Sequence, residues 1–198
     1  IRTANNPANA NITAAAMLVR DPAGSMERLG LGQPWEGQRR IIEAVWTHQS
    51  VAVAKCHASG GTWAAARLSL LWLWAWNWLG KTAKVVTTAT TGIQLRTELW
   101  GEITAAFHAA RVTASEKGDL LQTELRLGPG SYAIGIVPQT GQEERFAGHH
   151  AEKVLVVVDE ASGVGAHIEQ AIIGLRAGGD VHVLLLGKKR STTTTDVP

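Results

Sequence analysis

The sequence predicts an α/β fold of three layers, a mostly parallel central sheet with helices on both faces. Three observations carry that expectation. Apolar runs at 51–54, 83–88, 154–158 and 181–186 alternate with helical patterns at 62–79, 91–110 and 166–176, and strands separated by helices pair in parallel through right-handed crossovers. The run "VLVVV" at 154–158 is continuous rather than alternating, as a strand covered on both faces requires. The chain of 198 residues is 45% hydrophobic and 18% charged, enough apolar material for the core of one domain.

Taken in order, residues 1–34 scatter Asn, Ala, Pro and Gly and are expected to form an irregular N-terminal arm leading to a short helix, with residues 35–198 as the single folded domain. "WEGQRRIIEAVWTH" at 35–48 sets Ile41 over Val45 and Ile42 over Trp46, leaving Arg39, Arg40 and Glu43 on a polar face, so it reads as a helix. Residues 64–79, "AAARLSLLWLWAWNWL", are nearly all apolar but contain Arg67 and Asn77, and they fall short of the ~20 residues needed to span a bilayer. A buried helix is predicted, with some of the tryptophans at 72, 74, 76 and 78 facing a neighbouring element. After the helix over 91–110, "LQTELRL" and "YAIGIV" flank "GPGS", a hairpin whose glycines accept positive φ. A polar loop over 138–152 follows, and the strands at 51–54 and 154–158 are expected at the centre of the sheet.

Charge and cysteine content exclude more than they select. The formal net charge of +2 does not mark a nucleic-acid partner, although Arg39, Arg40, Lys188, Lys189 and Arg190 are candidates for local basic patches. Cys56 is the single cysteine, which leaves no internal disulfide and no cysteine-based zinc cluster and suits a reducing cytosol. No signal-peptide pattern precedes the domain, and the opening Ile, in place of Met, is expected to follow a trimmed start.

Chemistry concentrates in two stretches. "VAVAKCHASGGTWAAARL" at 51–68 runs from an apolar strand through a small-residue turn into an alanine-rich helix, the build of a phosphate-binding loop. The common pattern G-x-x-x-x-G-K-[ST], laid over Lys55–Thr62, finds Lys55 where the first Gly belongs and Gly61 where the Lys belongs. Gly60 and Gly61 let the backbone approach phosphate oxygens, with Cys56, His57, Ala58 and Ser59 completing the loop, and the helix behind presents its unpaired N–H groups. Thr62 supplies a hydroxyl for magnesium. Lys55 leaves the strand at the mouth of the loop on a flexible stem. Two readings of it stay open: it folds back over the phosphates as the displaced lysine, or it points to solvent and the loop binds weakly.

The second stretch, "KVLVVVDEASG", puts Asp159 and Glu160 at the carboxyl end of the buried strand, where open α/β sheets bind ligands. In this Walker B arrangement Asp159 holds the magnesium and Glu160 orients the attacking water. An acidic pair can also merely end a strand and cap the next helix. The pair and the Gly-Thr loop together predict a P-loop NTPase of the RecA-like (ASCE) class that binds ATP and Mg2+.

These residues resemble a family, the large terminase subunit of tailed bacteriophages, over about Trp35 to Gly187. "PWEGQRRIIEAV" resembles its adenine-side segment, "VAVAKCHASGGTWAAARLSLLWL" its Walker A strand, loop and helix, "KVVTTATTGIQLRTELWGEI" the stretch after the second strand, and "HAEKVLVVVDEASGV" its Walker B region. The resemblance implies an ATPase motor that packs double-stranded DNA into proheads, working as a homo-oligomeric ring, pentameric by the family's pattern. Its implied partners are a portal protein and a small terminase subunit, in the host cell cytoplasm and with no membrane. It implies Gln38 as the base-reading glutamine and Arg145, in "QEERFAGHH", as the arginine finger offered to a neighbouring subunit, with Arg96 in reserve; an ordinary surface ion pair with Glu143 or Glu144 is the other reading of Arg145. Full terminases continue into a nuclease domain, so the chain is expected to be the ATPase half. In "LLLGKKRSTTTT", Lys188 follows Gly187 where the family's coupling segment usually reads Gly-Asn-Pro or is Thr-rich. A nucleotide-binding but hydrolysis-deficient docking domain is the alternative function. A cellular helicase-like ATPase would need a second lobe.

Overall fold

A computed structural model describes residues 7–55, 59–137, 148–163, 165–176 and 178–188. Its centre is a seven-stranded sheet built from β1 Ser50–Lys55, β2 Ala83–Thr88, β3 Asp119–Leu120, β4 Glu124–Gly128, β5 Ser131–Gly135, β6 Lys153–Val158 and β7 Asp180–Lys188, in the order β1-β7-β6-β2-β5-β4-β3. The pairs from β1 through β5 in that order are parallel, and the β5-β4-β3 end is antiparallel. The predicted fold class is therefore the observed one.

Both faces of the sheet are covered, and the alternation along β6 sorts its side chains between them. Leu155 and Val157 point to the face that packs helix α4, Gly61–Trp78, together with α3, Glu36–Thr47. Val154, Val156 and Val158 point to the other face, against Ile168, Ala171 and Leu175 of the helix Ala166–Arg176. A continuous run of β-branched residues is what such two-sided burial demands. Among the described residues no helix is long and apolar enough to cross a membrane. The tryptophan-rich half of α4 is buried through Ala75, with Trp76 and Trp78 half-buried: Trp72 packs edge-on to Trp46 of α3 with ring centroids 5.2 Å apart, and the Trp74 indole N–H donates to the Lys117 carbonyl at 3.2 Å.

Three local expectations need correction. β1 lies at the end of the sheet and pairs with β7 alone among the described strands, because the last strand inserts between β1 and β6. Its Val-Ala alternation is that of a half-buried strand. Most of residues 7–28 are helical rather than irregular: α1, Pro7–Arg20, and α2, Pro22–Arg28, bury Leu18, Ala23 and Met26 in the same core as α4. Alanines favour helix, and Asp21 caps α2 by accepting from the Gly24 N–H at 2.8 Å, with Pro22 in the first turn. The helix over 91–110 is interrupted, running from Gly92–Gln94 through a π-helical segment, Leu95–Leu99, into Trp100–Ala109. The π segment turns Trp100 inward, where its indole N–H donates to Thr87 Oγ1 at 2.9 Å. The hairpin forms where predicted, with Gly128 at φ 151° and Gly130 at φ 81°.

Candidate nucleotide-binding site

The carboxyl ends of β1 and β6 meet over the N-terminus of α4, and four side chains converge there. Lys55, the last residue of β1, directs its amine to Asp159 Oδ1 at 2.6 Å, to Glu160 Oε1 at 3.3 Å and to Thr62 Oγ1 at 3.4 Å. Thr62, in the first turn of α4, donates its hydroxyl to Asp159 Oδ2 at 2.8 Å. Asp159 is only 2% exposed, and its Oδ1 also accepts the Glu160 backbone N–H at 2.9 Å. The solvent-pointing reading of Lys55 does not match this placement, since the side chain is 10% exposed and lies across the gap between the two stretches. Burial would lower the Lys55 pKa, but the carboxylates of Asp159 and Glu160 outweigh it and hold the amine above its ordinary 10.5.

The glycines have separate reasons. Gly60 caps α4 at φ 69°, a left-handed conformation, and a Cβ there would sit 2.3 Å from Gln38 Nε2. At Gly61 a Cβ would lie 3.3 Å from Lys55 Cδ and 3.7 Å from Leu186, so the small residue makes room for the lysine stem. The N–H groups at the start of α4 face the same opening, where helix geometry favours an anion. The buried Ser59 hydroxyl has no hydrogen-bond partner among the described residues, and a buried polar group of that kind is a ready contact for a polar ligand.

Magnesium and a nucleotide phosphate fit this donor set. Thr62 Oγ1 and Asp159 Oδ2, at 2.8 Å, are hard oxygen donors side by side, and Mg2+ is commonly held by one or two protein oxygens with phosphate and water completing the shell. Among the described residues no group of three or more His, Cys, Asp and Glu side chains is placed to hold a metal ion.

No family model matches the chain. A protein of Enterobacteria phage P7 described as a probable terminase large subunit is 44% identical over 48 residues, 24% of this chain and 10% of that protein. The HK97 bacteriophage large terminase superposes with a TM-score of 0.60 at 15% identity, over 85% of this chain and 37% of that one. The ATPase domain of the Thermus phage P74-26 large terminase superposes with a TM-score of 0.51 at 16% identity, over 83% and 68%. The chain has the fold of a phage large-terminase ATPase domain.

The chain thus resembles the large terminase subunit while spanning about a third of the HK97 terminase. On this terminase fold, Lys55, Gly60, Gly61, Thr62, Asp159 and Glu160 come together, and Gln38 joins them from α3: buried at 7% exposure, it donates Nε2 to the Gly60 carbonyl at 3.3 Å and accepts the Trp35 N–H at 3.2 Å. Arg96 is exposed on the π segment. Cys56, His57, Ala58 and Arg145 lie outside the described residues. One residue, Thr90, has a place at the site that its local sequence did not predict. Glu160 has φ 53°, the one positive φ outside glycine among the described residues, and its carbonyl accepts from the Gly163 N–H at 2.9 Å and from Thr90 Oγ1 at 3.3 Å. Thr90 follows the threonines that end β2, in "TTATTG", and that polar run beside an acidic strand end was its available signal.

Proposed function

We propose that the chain is the ATP-hydrolysing motor domain of a DNA-packaging terminase, coupling hydrolysis to translocation of double-stranded DNA. The observation that carries this reading is the convergence of Lys55, Thr62, Asp159 and Glu160 at the carboxyl ends of parallel strands, where α/β sheets place their ligands.

In this reading the N–H groups of Gly60, Gly61 and the first turn of α4 cradle the phosphates, and Thr62 and Asp159 hold magnesium. The metal, when bound, neutralises charge on the β- and γ-phosphates. Lys55 leaves the carboxylates for the phosphate oxygens, an exchange of one charge-assisted partner for another within the reach of its stem. Glu160, released from the lysine, polarises the attacking water, and its left-handed backbone fixes where its carboxylate points. Cys56, His57, Ala58 and Ser59 are assigned to phosphate binding from the sequence of the loop. Arg145 serves as the arginine finger for a neighbouring copy in a homo-oligomeric ring, with a portal protein and a small subunit as further partners in the host cytoplasm.

Phosphate release with and without double-stranded DNA tests the proposal. A motor turns over ATP, and faster with DNA; a domain that binds ATP and releases no phosphate in either case, alone or assembled, is the docking module instead.

A further inference from the structure

Arg67 is the one charged residue on the buried side of α4, and it is 8% exposed. Its guanidinium meets four groups. Nη1 donates to the Trp63 carbonyl at 3.3 Å and pairs with Glu102 of the helix Trp100–Ala109, Nε donates to the Leu31 carbonyl at 3.4 Å, and the planar group lies over the Trp63 ring, 4.2 Å from its centroid. The same indole abuts Gly32, whose φ of 89° is left-handed and where a Cβ would stand 3.1 Å from the ring. An arginine buried in an apolar helix carries a desolvation cost, and a well-packed apolar side chain serves a core at least as well. Two of its four contacts are to Trp63, the residue that follows Thr62 in the first turn of α4.

We infer that Arg67 is a positioning residue for Thr62, the hydroxyl assigned above to magnesium. By gripping Trp63 at both its carbonyl and its ring, it fixes the turn from which Thr62 Oγ1 reaches Asp159 Oδ2 at 2.8 Å. The inference rests on the nucleotide reading and adds what holds its metal ligand in place. Glu102 supplies the counter-charge that anchors the guanidinium, and the Leu31 carbonyl fixes its other edge. A planar fork can serve a carboxylate, two carbonyls and a ring face at once, which a lysine's point charge cannot. The residues behind the loop, Leu31 and Gly32 after α2 and Glu102 across α4, therefore act on the metal through one side chain.

The test is equilibrium binding of ADP to the wild-type chain, Arg67→Met and Glu102→Gln, each with excess EDTA and with saturating Mg2+. The readout is the ratio of the two affinities, which isolates what the metal adds from what the loop holds by itself. Arg67→Met leaves the affinity in EDTA unchanged and lowers the ratio about fivefold or more, the worth of one hydrogen bond. Glu102→Gln, at a side chain that is 40% exposed and whose loss the fold tolerates, lowers the ratio in the same direction by a smaller factor, so the test stands even if Arg67→Met does not fold. An undiminished ratio in Glu102→Gln or in folded Arg67→Met overturns the inference, as does an equal loss in EDTA and in Mg2+, which would make Arg67 a brace of the whole loop. A wild-type chain that binds ADP no tighter with Mg2+ overturns the metal role of Thr62 and this inference with it. A wild-type chain that binds no ADP in either condition overturns the nucleotide reading itself.

Discussion

The amine of Lys55 lies 2.6 Å from Asp159 Oδ1, joining the end of β1 to the end of β6 across 104 residues of sequence. With the Thr62–Asp159 hydrogen bond it turns two separate stretches into one site, and it fixes where a lysine at the early loop position can act.

This ion pair has a pH signature. The Lys55 pKa is raised above 10.5 even though burial opposes the shift, because the Asp159 and Glu160 carboxylates favour the charged amine. A group whose folded pKa exceeds its unfolded value contributes stability that is complete below the unfolded pKa and is lost as pH rises through the folded one. The stability difference between wild type and Lys55→Met is therefore level from neutral pH to about pH 10 and shrinks above the ordinary lysine pKa. Urea unfolding of both proteins across alkaline pH measures it. A difference that instead vanishes on acidification to pH 6 contradicts the pairing.

Gly61 and Lys55 compete for one space. A side chain at 61 starts 3.3 Å from Lys55 Cδ, so Gly61→Lys on the wild-type background crowds the lysine stem and lowers ATP affinity. On the Lys55→Ala background the same substitution supplies a lysine at the common position with the stem gone, and affinity rises again. Calorimetric titration of ATP into the single and double variants checks the sign change; equal effects on both backgrounds show that the two residues do not share the space.

Glu160 and Thr90 separate chemistry from binding. Glu160→Gln keeps nucleotide affinity and cuts turnover by two or more orders of magnitude, about 3 kcal/mol or more of transition-state stabilisation. Thr90→Val removes the hydroxyl that donates to the Glu160 carbonyl and lowers kcat several-fold, about 1 kcal/mol, the net worth of one hydrogen bond, with KM unchanged; Thr90→Ser retains the rate. Steady-state kinetics of the three variants resolves this. A rise in KM as large as the fall in kcat assigns Thr90 to the fold of the site rather than to the placement of the glutamate.

Much of the frame is readable from local sequence, and the corrections share a cause. The β6 run and its acidic end are visible because a strand covered on both faces must be apolar throughout, and the hairpin is visible because its turn needs glycine. The position of β1 depends on where the last strand inserts, which no local pattern encodes. The helices α1 and α2 hide behind Asn, Pro and Gly, although Asp21-Pro22 is a cap signal. The inward turn of Lys55 depends on Asp159, too distant in sequence for any local pattern to pair them. The positive φ at Glu160 is held on one side by Thr90, which arrives from a segment 70 residues away.

The most direct test of the account is the behaviour of Lys55→Ala, measured as MgATP affinity and as phosphate release by the same preparation, with the fold verified by circular dichroism. The account places the only loop lysine that can reach phosphate at position 55. It predicts that affinity falls by about tenfold or more, the scale of one charge-assisted contact, and that phosphate release falls with it. Unchanged affinity and unchanged release in Lys55→Ala would contradict it, and would reduce the Lys55–Asp159 pair to a structural tie between two strands.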